Sequence, residues 1–168
     1  ESTAQSPSTA SEPGHEGHDH GGGTEADETI EPSPRIAVGT ASGIVLLDEH
    51  LDVLESYSTA ERPTLTIGHD GRHIFAVQGG AGLVNVLDSG TWTQGYGDHS
   101  HSFVTEPRLF DETLEGARPV HVVANANASA TAVYFDDEGR AQVIGEEALE
   151  HGELHGLPSV DASGPHHG

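Results

Sequence analysis

Cysteine, methionine and lysine are absent from the 168 residues. Without cysteine there is no disulfide, no Cys-type zinc finger, no Fe–S cluster and no thiolate nucleophile. Without methionine there is no thioether site for Cu(I). Basic residues are scarce as well: Lys plus Arg number 6, all arginine, against 28 Asp plus Glu, for a formal net charge of -22. The cations that release counterions from a phosphate backbone are too few for nucleic-acid binding. No run approaches the ~20 apolar residues that span a bilayer as a helix. The start lacks the basic and apolar regions of a signal peptide, and opening on Glu1 fits a mature form whose targeting segment has been removed.

The excess lies elsewhere, in 13 His and 22 Gly. An acidic surface rich in imidazole has a cation as its natural guest, held by nitrogen and carboxylate oxygen. From Glu1 to Pro34 the apolar residues are only Ala4, Ala10, Ala26 and Ile30, with no Arg. Such a composition cannot offset chain entropy by burial, so residues 1–34 are expected to form a disordered acidic tail. Within it, His15-Glu16-Gly17-His18-Asp19-His20 sets three imidazoles and two carboxylates on a glycine-loosened backbone. Short His-rich tracts of this kind capture divalent ions with modest affinity and fast exchange.

From Arg35 the pattern turns to short Val, Ile and Leu runs separated by Gly, Asp and Asn, which predicts strands joined by tight turns. Arg35–Val38, Gly43–Asp48 and Leu51–Glu55 read as three consecutive antiparallel strands. The hairpin recurs at Ile74–Val77 with Gly82–Asp88, and again at Thr131–Asp136 with Ala141–Ile144. A strand meander repeating about every 40 residues predicts an all-β fold of β-propeller blades over residues 35–168. About three blades are present, too few to close a ring of roughly four to eight. A longer protein or a partner is expected to supply the rest. Thr91–Pro119 lengthens one interval and reads as an insertion leaving its blade, the kind of segment that carries function.

That insertion holds Gly97-Asp98-His99-Ser100-His101. In an extended backbone His99 and His101 project to one side and can share an ion. Two imidazoles leave a zinc tetrahedron incomplete, so further ligands must come from afar, with His121 and the terminal pair His166 and His167 standing where strands enter the sheet. Neutral imidazole is the ligand form, so affinity should fall as pH drops through the histidine range near 6.5. His69 and His73 flank Asp70-Gly71-Arg72 and read as structural turn residues. His151 and His155 have a spacing that suits a helix, but Gly152 and Gly156 argue for a loop. Asp136-Asp137-Glu138 and Glu146-Glu147 read as solvated turn and strand-end charges.

Gly97-Asp98-His99-Ser100-His101, Leu114-Glu115-Gly116-Ala117-Arg118-Pro119-Val120-His121, the hairpin ending Phe135-Asp136, and Pro165-His166-His167-Gly168 together resemble the extracytoplasmic zinc metallochaperones of the Azt type. The resemblance implies a β-propeller that binds Zn2+ and hands it to the solute-binding protein of a zinc ABC importer, outside the cytoplasm. It implies Asp98, His99, His101, His121, His166 and His167 as ligands, with His15, His18 and His20 as a flexible capture arm. Ligand exchange then replaces catalysis. Two other classes stay open on the residues: a propeller hydrolase of lactonase type using a zinc-bound water, for which Asp98 or Glu106 would have to serve as base, and a protein-interaction scaffold without metal.

Overall fold

The computed structural model describes residues 26–161. In chain order the strands are β1 (Asp27–Thr29), β2 (Ile36–Thr40), β3 (Gly43–Leu47), β4 (Val53–Ser58), β5 (Thr64–Ile67), β6 (His73–Gln78), β7 (Leu83–Asp88), β8 (Thr91–Tyr96), β9 (His99–Val104), β10 (Arg108–Glu115) and β11 (Pro119–Asn125). After a 3-10 turn at Ala126–Ala128 come β12 (Ala130–Phe135), β13 (Arg140–Gly145), the single α-helix α1 (Glu146–His151) and β14 (Ser159–Asp161).

Every pairing between these strands is antiparallel, and they form three blades and one separate three-stranded sheet. The first blade runs β2-β3-β4, the second β10-β7-β6-β5 and the third β11-β12-β13-β14. The fold is thus the expected propeller portion, with its ring unclosed. Insertion residues 91–104 do leave the second blade: β8 and β9 join β1 in a separate sheet ordered β1-β9-β8. The chain then returns, and β10 completes the blade beside β7.

Period-two alternation explains how the blades stack. On β6, which is buried along its whole length, Phe75 and Val77 face one core with Val84 and Val86 of β7, Phe110, Val133, Phe135 and Ile144. Ile74 and Ala76 face the opposite way, into a second core with Ile44, Leu46 and Leu87. The second blade is therefore sandwiched between the first and third, which is why its strands read as continuous apolar runs. The outer blades have only one covered face each. Ile36, Val38 and Val53 of the first, and Val123 and Val160 of the third, are exposed.

Three local readings change in the structure. Residues 146–151 form a helix whose acidic first turn complements the dipole and whose end is set by Gly152 in the left-handed region (φ 72). Asp136 is fully buried rather than solvated, lying 3.4 Å from the Arg118 guanidinium at the head of the third blade. Residues 27–29, within the stretch whose composition reads as a tail, pair in register with Val104, Phe103 and Ser102 of β9.

Candidate metal-ligating hairpin

Strands β8 and β9 are joined by Gly97 and Asp98 alone, with Tyr96 opposite His99. A two-residue connection with positive φ at its first position (Gly97, φ 68) is a hairpin geometry that matches the twist of the strands. The turn makes His99 the first residue of β9, so His99 and His101 fall on one face two residues apart. Their ring centroids are 5.1 Å apart. Tyr96 stacks on His99 at 6.1 Å and meets His101 edge-on at 5.0 Å. The pairing of imidazoles expected from the Asp-His-Ser-His spacing is present.

Each imidazole has a carboxylate on the same ring atom. Asp98 lies 2.9 Å from His99 Nδ1, and Glu28 of β1 hydrogen-bonds His101 Nδ1. An ionised carboxylate only accepts, so Nδ1 donates in both cases and Nε2 keeps its lone pair. The bond from His99, with one from its own backbone N–H, holds Asp98 below the usual carboxylate range.

The hairpin is rooted firmly in the second blade. Trp92 stacks on Phe103 at 5.3 Å, and the Arg72 guanidinium lies 3.9 Å above the Trp92 ring. Arg35 donates to the carbonyls of Ser89 and Thr105, one on each side of the hairpin base. The Thr105 N–H donates to the Gly90 carbonyl at 2.8 Å. These contacts hold the imidazole pair on a fixed stem.

His121 is an exposed residue of β11 in the third blade, opposite Tyr134. His15, His18, His20, His166 and His167 lie outside the described residues. Among the described residues, no three His, Asp or Glu side chains are grouped so as to hold one ion. Glu28 escaped sequence reasoning, because nothing in Asp27-Glu28-Thr29 signals a partner on β9.

Three other histidines make contacts that serve the fold. His73 is buried, with Nδ1 donating to Asp70 and its ring edge-on to Phe110 at 5.4 Å. His69 Nδ1 pairs with Thr131 Oγ1 at 2.9 Å, a tie from the second blade to the third. His155 Nδ1 meets Glu112 at 2.9 Å.

No family model matches the sequence. The zinc chaperone AztD of Citrobacter koseri is 33% identical over 117 residues, covering 70% of this chain and 27% of that protein. The chain is a partial homologue of AztD. The crystal structure of Citrobacter koseri AztD superposes with a TM-score of 0.74 at 29% identity, over 82% of this chain and 37% of that one. The structure of apo AztD gives a TM-score of 0.72 at 28% identity with the same coverage. The resemblance to the Azt-type zinc chaperones is confirmed. The chain spans about a quarter of the length of AztD, 27%.

Proposed function

We propose that this chain is part of a zinc chaperone: it binds Zn2+ through His99 and His101 and passes it to the solute-binding protein of a zinc ABC importer outside the cytoplasm. The observation that carries the reading is the imidazole pair on the rooted hairpin, in a chain 33% identical to a zinc chaperone. His121, His166 and His167 are proposed as ligands brought in by a completed ring, and His15, His18 and His20 as an arm that collects the ion. Asp98, by its bond to His99, keeps Nε2 turned outward for the metal. No bond in an organic substrate is made or broken. The work is ligand exchange, and a pair of exposed imidazoles with open positions offers an incoming ligand easy access.

The test is zinc competition against a chromophoric chelator. The double variant His99→Ala/His101→Ala is expected to bind zinc at least about tenfold more weakly, with unchanged circular dichroism because both rings are surface groups. Equal affinity would remove the hairpin from the site. Deleting residues 15–20 is expected to slow transfer to the solute-binding protein while leaving equilibrium affinity of the hairpin nearly unchanged. An unaltered stopped-flow transfer rate would remove the arm from the mechanism.

A further inference from the structure

Strand β1 is three residues long, and two of them, Asp27 and Glu28, are exposed. It buries too little apolar surface to hold itself in place. Its attachment consists of the ladder to β9, a hydroxyl bond from Thr29 to the Ser102 carbonyl at 3.4 Å, and the Glu28 carboxylate on His101. Glu28 stands opposite Phe103, so the neighbour two residues along the same face of β9 is His101. The contact is a product of register: a slip of one residue would turn Glu28 to the other face.

His99 has its carboxylate next to it in sequence, whereas His101 depends on one 73 residues away. We infer that Glu28 is the positioning residue of His101: by accepting the Nδ1 proton it fixes the tautomer and ring orientation that present Nε2 to the metal. This rests on the zinc-binding reading of the hairpin and deepens it. Both imidazoles then offer the same atom on the same side. Such outer carboxylates change metal affinity by about 10- to 100-fold when removed.

The coupling is reciprocal. A cation on Nε2 withdraws electrons from the ring and makes Nδ1–H a better donor, so zinc tightens the bond to Glu28 and seats β1 on β9. Ion binding at the hairpin thereby anchors the root of the segment that carries His15, His18 and His20.

Long-range proton–nitrogen spectra of uniformly labelled, zinc-free protein above the histidine titration range read the tautomer directly. Wild type should show His101 protonated at Nδ1 and bare at Nε2. Glu28→Ala should revert to a mixture dominated by Nε2–H, Glu28→Gln should retain the wild-type tautomer through its amide oxygen, and Asp27→Ala should leave it unchanged. An identical His101 tautomer in wild type and Glu28→Ala overturns the inference. In the second arm, zinc alone is titrated against the chelator, and Glu28→Ala is expected to bind about tenfold more weakly or worse. Equal zinc affinity in the two proteins overturns the metal role of Glu28. Failure of wild type to bind zinc overturns the parent reading instead, and is told apart because the tautomer change still appears.

Discussion

Replacing Asp88 by alanine is expected to destabilise the protein by about 3 to 5 kcal/mol, the range for removing one partner of a buried ion pair. The carboxylate closes β7 with its side chain only 7% exposed. It receives Arg72 Nε at 2.7 Å and Nη2 at 2.6 Å, and the Gly90 N–H at 2.8 Å. His73 Nε2 is buried without a hydrogen bond, 3.9 Å from the same carboxylate. Alanine would leave the Arg72 and Gly90 donors facing a gap at the root of the hairpin, where Gly90 needs its left-handed φ of 71 and an added Cβ would collide with the Thr105 carbonyl. Asp88→Asn keeps an acceptor for Gly90 and should cost less, about 1.5 to 3 kcal/mol for hydrogen bonds that lose their charge.

The pH dependence has a definite sign. Burial pushes Asp88 up, but hydrogen bonding and attraction to Arg72, with the Gly90 N–H, outweigh it and leave the group below its usual range. Burial likewise opposes Asp70, where the bond and charge of His73 and two backbone N–H groups prevail and depress it strongly. A carboxylate with a depressed folded pKa contributes stability that is present above its unfolded pKa, near 3.9, and lost as pH falls through the folded value. Urea denaturation should therefore show wild type losing stability below about pH 4, and the gap between wild type and Asp88→Ala narrowing in acid. A gap that is under 1 kcal/mol at neutral pH, or that widens in acid, would contradict this account of the pair.

Strands that bury alternating or continuous apolar side chains were legible from the chain alone: β2, β3, β6, β7, β12 and β13 coincide with the Val, Ile and Leu runs. Strand β10 was not, because its register shifts between Leu109 and Thr113 and only Phe110 and Leu114 are buried, four apart. Glu112 stands between them where alternation calls for an apolar residue, so no strand period shows in the sequence. Helix α1 is six residues between two glycines, too short for a helical period to show. The facing of His99 and His101 followed from period two, and Asp98 was in view as a neighbour. Glu28 was out of reach, since a three-residue polar strand owes its order to a partner far along the chain. The proposed gathering of His121 with His166 and His167 rests on ring closure, which no local pattern encodes.

Phe135→Ala is the second substitution expected to cost most, about 3 to 5 kcal/mol for removing a buried aromatic ring. The ring is fully buried in the core shared by the second and third blades, among Val84, Val86, Leu114 and Ile144. Its two faces of contact are unusual for a core residue. The Arg140 guanidinium lies 4.5 Å over the ring, and Gly116 approaches so closely that a Cβ there would meet Phe135 Cδ1 at 2.4 Å. The surroundings cannot collapse easily into the vacated space, because Gly116 is tied by its N–H to the Gly82 carbonyl at 3.1 Å and the next N–H, of Ala117, is held by Glu138. The loss should therefore sit at the upper end of the range, and Phe135→Leu should recover most of it by refilling volume. The hairpin is rooted through Arg72, Trp92 and Arg35, none of which belongs to that core. At temperatures where Phe135→Ala remains folded, its zinc affinity should equal that of wild type while its denaturation midpoint drops. A loss below about 1 kcal/mol would mean that the blades do not meet through this ring. A parallel fall in zinc affinity would mean that the hairpin takes its geometry from the interblade core and not from its own stem.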